Sequence, residues 1–302
     1  MSGRHLAMLF LLAAIWGSSF MFIKVAVREI APSTALLGRL ALAAVALLIV
    51  SLLRTPLRRT VAEFRAYAVP LVVVGVVNTA LPVYLLFWAE TRIDSGTAAI
   101  LQATAPLGSA VFAFFFVHAE RVTGQRLVGF LLGFAGVALL IGSLPTGSIV
   151  AGLAVVGSAL CYAGAGLYTG LRLSSVPTLT VALCTLAVAT LVVLPAGVIQ
   201  SPTEPPGWKP VVSVIILGLV GTAFAYLLYY ELVSGAGASR AILITYLVPP
   251  AALVYGVVFL GEELTVQAVV ALGLILGGVA LGTSAVTLGR RRRAAPVGEP
   301  AP

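Results

Sequence analysis

Apolar residues run in blocks of about twenty along this chain, and charges are confined almost entirely to the gaps between blocks. Ten such runs stand out, at 6–27, 33–53, 66–89, 95–117, 125–143, 147–169, 177–199, 211–232, 239–260 and 265–288. A membrane-crossing helix needs roughly 20 predominantly apolar residues. Helices also satisfy their own backbone groups where no water can do so. The pattern therefore predicts an all-α integral membrane protein with ten transmembrane helices. The first run reads as a span and not as a cleavable leader, because it continues through Lys24 and Arg28 into a second run without a small-residue cleavage site.

Composition removes the soluble alternative. Hydrophobic residues make up 60% of the 302 positions and charged residues 9%, whereas a soluble domain carries about a quarter charged residues. The net charge of +8 points to no nucleic acid, since the basic residues form no stripe with interleaved aromatics. The expected partners are a small-molecule substrate and the lipid bilayer. Lys24 and Lys209 are the only lysines, an arginine bias that fits a GC-rich bacterial genome. Cys161 and Cys184 lie inside apolar runs and read as buried thiols. His5 and His118 lie at membrane edges, and no Walker motif is present. No metal and no cofactor is expected.

Basic residues set the orientation. With a cytoplasmic N-terminus the inside holds Arg4, Arg54, Arg58, Arg59, Arg65, Arg121, Arg126, Arg172, Arg240 and Arg290 to Arg293. The outside then holds only Arg28, Arg92 and Lys209. Both termini are expected in the cytoplasm, with the protein in the cytoplasmic (inner) membrane.

The sequence also matches itself. At a shift of 143, Gly75, Thr79, Ala80, Ala98 and Pro106 fall on Gly218, Thr222, Ala223, Ala241 and Pro249. At a shift of 142, Glu120, Thr123, Gln125, Gly136, Val137 and Ala138 meet Glu262, Thr265, Gln267, Gly278, Val279 and Ala280. Each unit holds five spans, and an odd number inverts the second copy. The expected layout is two inverted five-helix repeats, 1–144 and 145–289, followed by a basic, disordered cytoplasmic tail, 290–302. Inverted repeats are a common transporter plan, with the substrate site near the midplane between the copies.

WGSSFMFIKVAV, followed by a second span with Arg39, resembles the first repeat of EamA-type transporters of the drug/metabolite transporter superfamily. HAERVTGQ and LGEELTVQ, each leading into a Gly-rich last span, resemble the ends of that family's two repeats. The resemblance covers residues 6–288 and departs at CYAGAGLYTG, where a Trp-containing segment is more typical. It implies ten helices, inverted repeats, a cavity lined mainly by helices 1, 3, 4, 6, 8 and 9, and substrates such as amino acids, other metabolites or drugs, often exported.

Polar groups inside the spans supply the candidate site. Proline lacks an N–H, so the carbonyl four residues earlier loses its partner. Pro82 frees that of Asn78, Pro106 that of Gln102, and Pro249 and Pro250 those of Thr245 and Tyr246. Unpaired polar groups in lipid are costly, so these residues should face a cavity or one another, with Pro82, Pro106 and Pro249 as bends. Thr222, Tyr226, Tyr229 and Tyr230 share a helix face; Tyr226 reads as a cavity residue, and Tyr229 and Tyr230 as an aromatic belt. Trp16 lies mid-span with Tyr162 at its repeat position. The candidate substrate-binding set is therefore Trp16, Asn78, Gln102, Tyr162, Tyr226, Thr245 and Tyr246.

Charges within spans need explanation. Lys24 and Arg39 read chiefly as structural anchors, either snorkelling outward or with Glu29 as a partner for one of them; holding an anionic substrate group is the alternative. Glu90 and Glu231 lie near span ends, which suggests interfacial water. With no carboxylate near the midplane, facilitated diffusion, exchange or coupling through Glu90 or Glu231 is expected. The glycine pairs Gly129/Gly133, Gly166/Gly170 and Gly273/Gly277 suit close packing, or a homodimer through the fifth and tenth helices. A lipid-modifying membrane enzyme would need clustered His, Asp or Cys at one membrane face, and a membrane scaffold or receptor an odd span count or a large soluble domain; a transporter is the reading that the pattern favours.

Overall fold

The computed structural model describes residues 2–117 and 124–292. His118, Arg121, Glu120 and Thr123, with most of the HAERVTGQ segment, lie outside the described residues, as does the tail beyond Arg292.

The described chain is helical almost throughout. α1 is Gly3–Ala26 and α2 Pro32–Arg54; a proline opens α2, where its missing N–H costs nothing. The short basic helix α3, Leu57–Ala66, leads into α4, Ala68–Val74. A π-helical segment, Gly75–Ala80, joins α4 to α5, Leu81–Glu90. α6, Ser95–Gln102, and α7, Ala105–Val117, are split by a turn at Ala103 and Thr104. α8 is Gln125–Gly142, α9 Ile149–Arg172 and α10 Thr178–Ile199. α11, Trp208–Gly218, continues through a second π-helical segment, Leu219–Phe224, into α12, Ala225–Ala236. α13, Ala238–Ala241, α14, Ile244–Tyr255, a third π-helical segment, Gly256–Leu260, and α15, Val266–Arg292, complete the described chain.

Six stretches are long and apolar enough to cross a membrane: Gly3–Ala26, Pro32–Arg54, Ala68–Glu90, Thr146–Arg172, Thr178–Ile199 and Trp208–Ala236. Shorter apolar helices cover Leu127–Gly142, Ile244–Leu260 and Val266–Gly282. Many large apolar side chains face outward, among them Leu53, Val69, Leu131, Val150, Leu191 and Ile199. So large a continuous apolar surface belongs in lipid. The chain is a multi-pass membrane protein.

Polar contacts gather at two ends of the bundle. At the near end, where the chain starts, Arg4 pairs with Glu231, Thr180 donates to Glu63 (2.7 Å), and the Tyr67 and Ser175 hydroxyls share a hydrogen bond (3.1 Å). At the far end the Gly207 N–H donates to Glu29 (2.7 Å) and Ser148 donates to the Arg92 carbonyl (3.0 Å).

Between the ends, small residues let helices touch. A Cβ on Gly129 would lie 2.6 Å from the Gly282 nitrogen, and one on Gly278 would lie 2.6 Å from both the Gly129 oxygen and the Gly133 nitrogen. Gly129 thus faces α15 of the same chain and Gly133 faces Leu107 of α7, whereas Gly273, Gly277, Gly166 and Gly170 have nothing within 4 Å of that position. α2 packs on α10, α1 on α14, and α9 on both α5 and α7.

Candidate functional site

Arg39 is the polar centre of the bundle. It sits eight residues into α2, roughly 10 Å from the helix start at 1.5 Å per residue. Its Nε donates to the Thr222 hydroxyl at 3.0 Å, and its guanidinium carbon stands 6.0 Å from the Phe87 ring centroid. Thr222 is equidistant in sequence from the two ends of Trp208–Ala236, so the contact lies mid-span. The Thr222 hydroxyl also donates to the Leu217 carbonyl, five residues back, at 2.8 Å. The π-helical segment offers that carbonyl because its hydrogen bonds skip to the fifth residue. Tyr162, Tyr226 and Glu90 lie within electrostatic reach of the guanidinium.

An aromatic row leads from there toward the near end. Tyr226 stands 6.1 Å from Tyr230, Tyr230 stands 6.1 Å from Tyr229, and Tyr229 stands 5.6 Å from Trp16, with all three pairs tilted. Such offsets suit the ring quadrupoles. Tyr229 and Tyr230 belong to this half-buried row.

Asn78 lies in the first π-helical segment, half-buried, and its amide has no hydrogen bond among the described residues. The Leu81 N–H reaches back to the Val76 carbonyl, and Pro82 follows at once. Gln102 closes α6 just before the break that precedes Pro106, and its Oε1 is buried without a partner. Thr245 donates to the Ile242 carbonyl (2.7 Å), and Tyr246 packs half-buried against the main core. Pro249 lies inside α14, while the interruption of that stretch falls earlier, at Ile242 and Leu243. An apolar cleft of about 290 Å³ lies elsewhere, between α2 and α11, lined by Ile30, Thr34, Pro202, Pro206 and Val211, and none of the sequence-selected residues lines it.

Two acidic residues sit differently from expectation. Glu90 is 0% exposed, and neither carboxylate oxygen has a hydrogen-bond partner; it faces inward and not into interfacial water. Lys24 donates to the carbonyls of Glu90 (2.9 Å) and Ile93 (2.7 Å), while Glu29 is engaged by Gly207. Lys24 thereby ties α1 to the loop after α5. Arg39 is visible in sequence as a charge within a span, but its partner Thr222 is not, because no spacing rule links α2 to the segment after α11.

Glu262 plays a role invisible in sequence. Its carboxylate accepts the N–H groups of Ser95 (2.8 Å) and Gly96 (3.0 Å), capping α6 from the far side of the chain. An anion there also offsets the helix dipole. Desolvation first, and then the Glu262 carboxylate, hold the nearby Asp94 carboxyl above its ordinary value.

Known proteins agree with this architecture. The EamA-like transporter family matches twice, over residues 4–142 and 149–284. A probable terminal-alkyne amino-acid exporter from Streptantibioticus cattleyicolor is 31% identical over 300 residues, covering 96% of each chain. An uncharacterized transporter from Archaeoglobus fulgidus is 26% identical, over 89% of this chain and 95% of its own. The uncharacterized inner membrane transporter YedA of Escherichia coli is 28% identical, over 93% and 90%. A solved crystal structure superposes with a TM-score of 0.62 at 18% identity, covering 98% of this chain and all of the other, which speaks for the fold alone. With two family matches that together span nearly its whole length, this chain belongs to the EamA-like transporter family.

Proposed function

We propose that the protein exports a small amino-acid-like metabolite across the cytoplasmic membrane by alternating access. Ten spans form two inverted five-helix repeats, 1–144 and 145–289, with residues 290–302 as a cytoplasmic tail and both termini inside. Contacts that recur between the two halves carry this reading. A Cβ on Gly75 would meet Val188 and the Thr185 carbonyl; one on Gly218 would meet Leu42 and the Arg39 carbonyl. Arg39 and Leu42 precede Thr185 and Val188 by a common offset of 146 residues, as Trp16 precedes Tyr162. Likewise Gly17 meets Ala251, and Gly108 meets Ala163, so the same contact recurs with glycine and alanine exchanged. Both halves carry a π-helical segment at matching positions, Gly75–Ala80 and Leu219–Phe224. Two such bundles can rock about a shared midplane site.

The substrate class rests on the half-buried polar and aromatic groups and on the printed activity of the Streptantibioticus relative. Trp16, Asn78, Gln102, Tyr162, Tyr226, Thr245 and Tyr246 line the path, with Asn78 and Gln102 hydrogen-bonding the substrate. The breaks near Pro82 and Pro106, and that upstream of Pro249, supply the bends. The test is counterflow: proteoliposomes loaded with unlabelled L-propargylglycine or L-leucine should transiently accumulate the labelled amino acid. Asn78→Ala should lower that flux while the protein still elutes as a folded species. Empty-liposome rates for wild type with every amino acid would refute the substrate assignment.

A further inference from the structure

We propose that Arg39 is the substrate's carboxylate anchor, so that the transported class is defined by a free carboxylate. This deepens the amino-acid reading and rests on it.

A guanidinium has five N–H donors in a planar fork. Among the described residues, Arg39 uses Nε on Thr222, while Nη1 and Nη2 have no hydrogen-bond partner. No carboxylate lies within 4.0 Å of its nitrogens among the described residues. Glu90 is within electrostatic reach, yet neither of its oxygens bonds the guanidinium. A cation inside a membrane bundle is costly unless it is paired. The unoccupied Nη edge matches a carboxylate in the two-bond geometry that arginine favours.

The second observation comes from the repeat. If Arg39 were needed to pack α2 against α11, its counterpart should be needed to pack α10 against α4 and the first π-helical segment. The counterpart is Thr185, whose hydroxyl is spent on the Val181 (2.8 Å) and Ala182 (3.1 Å) carbonyls of its own helix. The backbone contact is the same in both halves: the Gly218 position lies 3.0 Å from the Arg39 carbonyl, and the Gly75 position 3.1 Å from the Thr185 carbonyl. The packing therefore does without a cation, and the charge on one side only is free to serve a ligand.

The third observation is position. Thr222 anchors Nε at mid-span, and Tyr162 and Tyr226 lie within reach of the charge. Those hydroxyls and rings flank a bound carboxylate and shield it from lipid. Lys24 cannot serve as the anchor, because its ammonium is already held by two carbonyls.

The test compares L-propargylglycine with its carboxamide as competitors of counterflow, for wild type, Arg39→Gln and Arg39→Lys. The amide keeps the amine and the side chain and loses only the anion. Wild type should prefer the acid by roughly 10- to 100-fold, the range for a hydrogen bond to a charged group. Arg39→Gln should raise the KM for the acid by about the same factor and abolish the discrimination. Arg39→Lys should restore part of it. Equal competition by acid and amide in wild type overturns the assignment without any variant, so a misfolded Arg39→Gln does not shield it. A folded Arg39→Gln with wild-type KM and discrimination also overturns it. Absence of counterflow in wild type would instead remove the amino-acid reading, and this assignment with it.

Discussion

At the scale of single residues, buried polar atoms decide more than apolar ones. Thr222 is buried and serves two partners, the Arg39 Nε and the Leu217 carbonyl. Thr222→Val keeps the shape and deletes the hydroxyl, so it should cost about 1–3 kcal/mol of stability. A lowered melting temperature, together with weakened amino-acid counterflow, checks this. Valine at Thr97, which makes no side-chain hydrogen bond among the described residues, should leave both near wild type. Glu262 offers a second case. Glu262→Gln keeps one acceptor and removes the charge at the α6 N-terminus, and should cost about 0.5–2 kcal/mol, read as a thermal shift. Much of this scale was legible only as a question. The sequence marks Arg39 and Lys24 as charges within spans, but which one is consumed by carbonyls depends on the loop after α5 meeting α1. The orientation of Glu90 escapes the sequence for the same reason: proximity to a span end says nothing about which way a side chain turns, and this one turns inward.

At the scale of elements, apolar runs were enough to locate the helices. The runs at 33–53 and 177–199 stand against Pro32–Arg54 and Thr178–Ile199. The π-helical segments were not legible. Pro82 predicts disruption near Asn78, and the register change does end there. Yet the second segment, Leu219–Phe224, has no proline after it, only Ala225. A missing N–H is therefore one way to reach that register and not its sole cause. Glycine spacing showed that helices approach closely, but not which ones. Gly278 lies where a Cβ would be 2.6 Å from two backbone atoms of α8, while Gly273 faces open space. Gly278→Ala should therefore destabilise by roughly 1–3 kcal/mol, because backbone cannot yield as a side chain can. Gly273→Ala should be neutral or slightly stabilising, since alanine favours helix. Thermal unfolding of the two variants in the same detergent separates them.

At the scale of the whole molecule, the internal repeat was readable because its landmarks are glycines, prolines and threonines, which an apolar background cannot mimic easily. What the repeat could not reveal is its asymmetry. Arg39 and Thr185 occupy matching places, and only one is charged. Alternating access, as proposed, requires the middle of the bundle, around Arg39, Thr222 and Tyr226, to open in turn to the two sides of the membrane. The direct measurement is labelling of a single cysteine, Tyr226→Cys with Cys161 and Cys184 replaced by alanine, using a membrane-impermeant thiol reagent. It is applied to intact cells and to inverted membrane vesicles, with and without L-propargylglycine. Labelling from both sides, slowed by the amino acid in each case, is the predicted result. Labelling from one side only, at a rate indifferent to the amino acid, would contradict alternating access at this site.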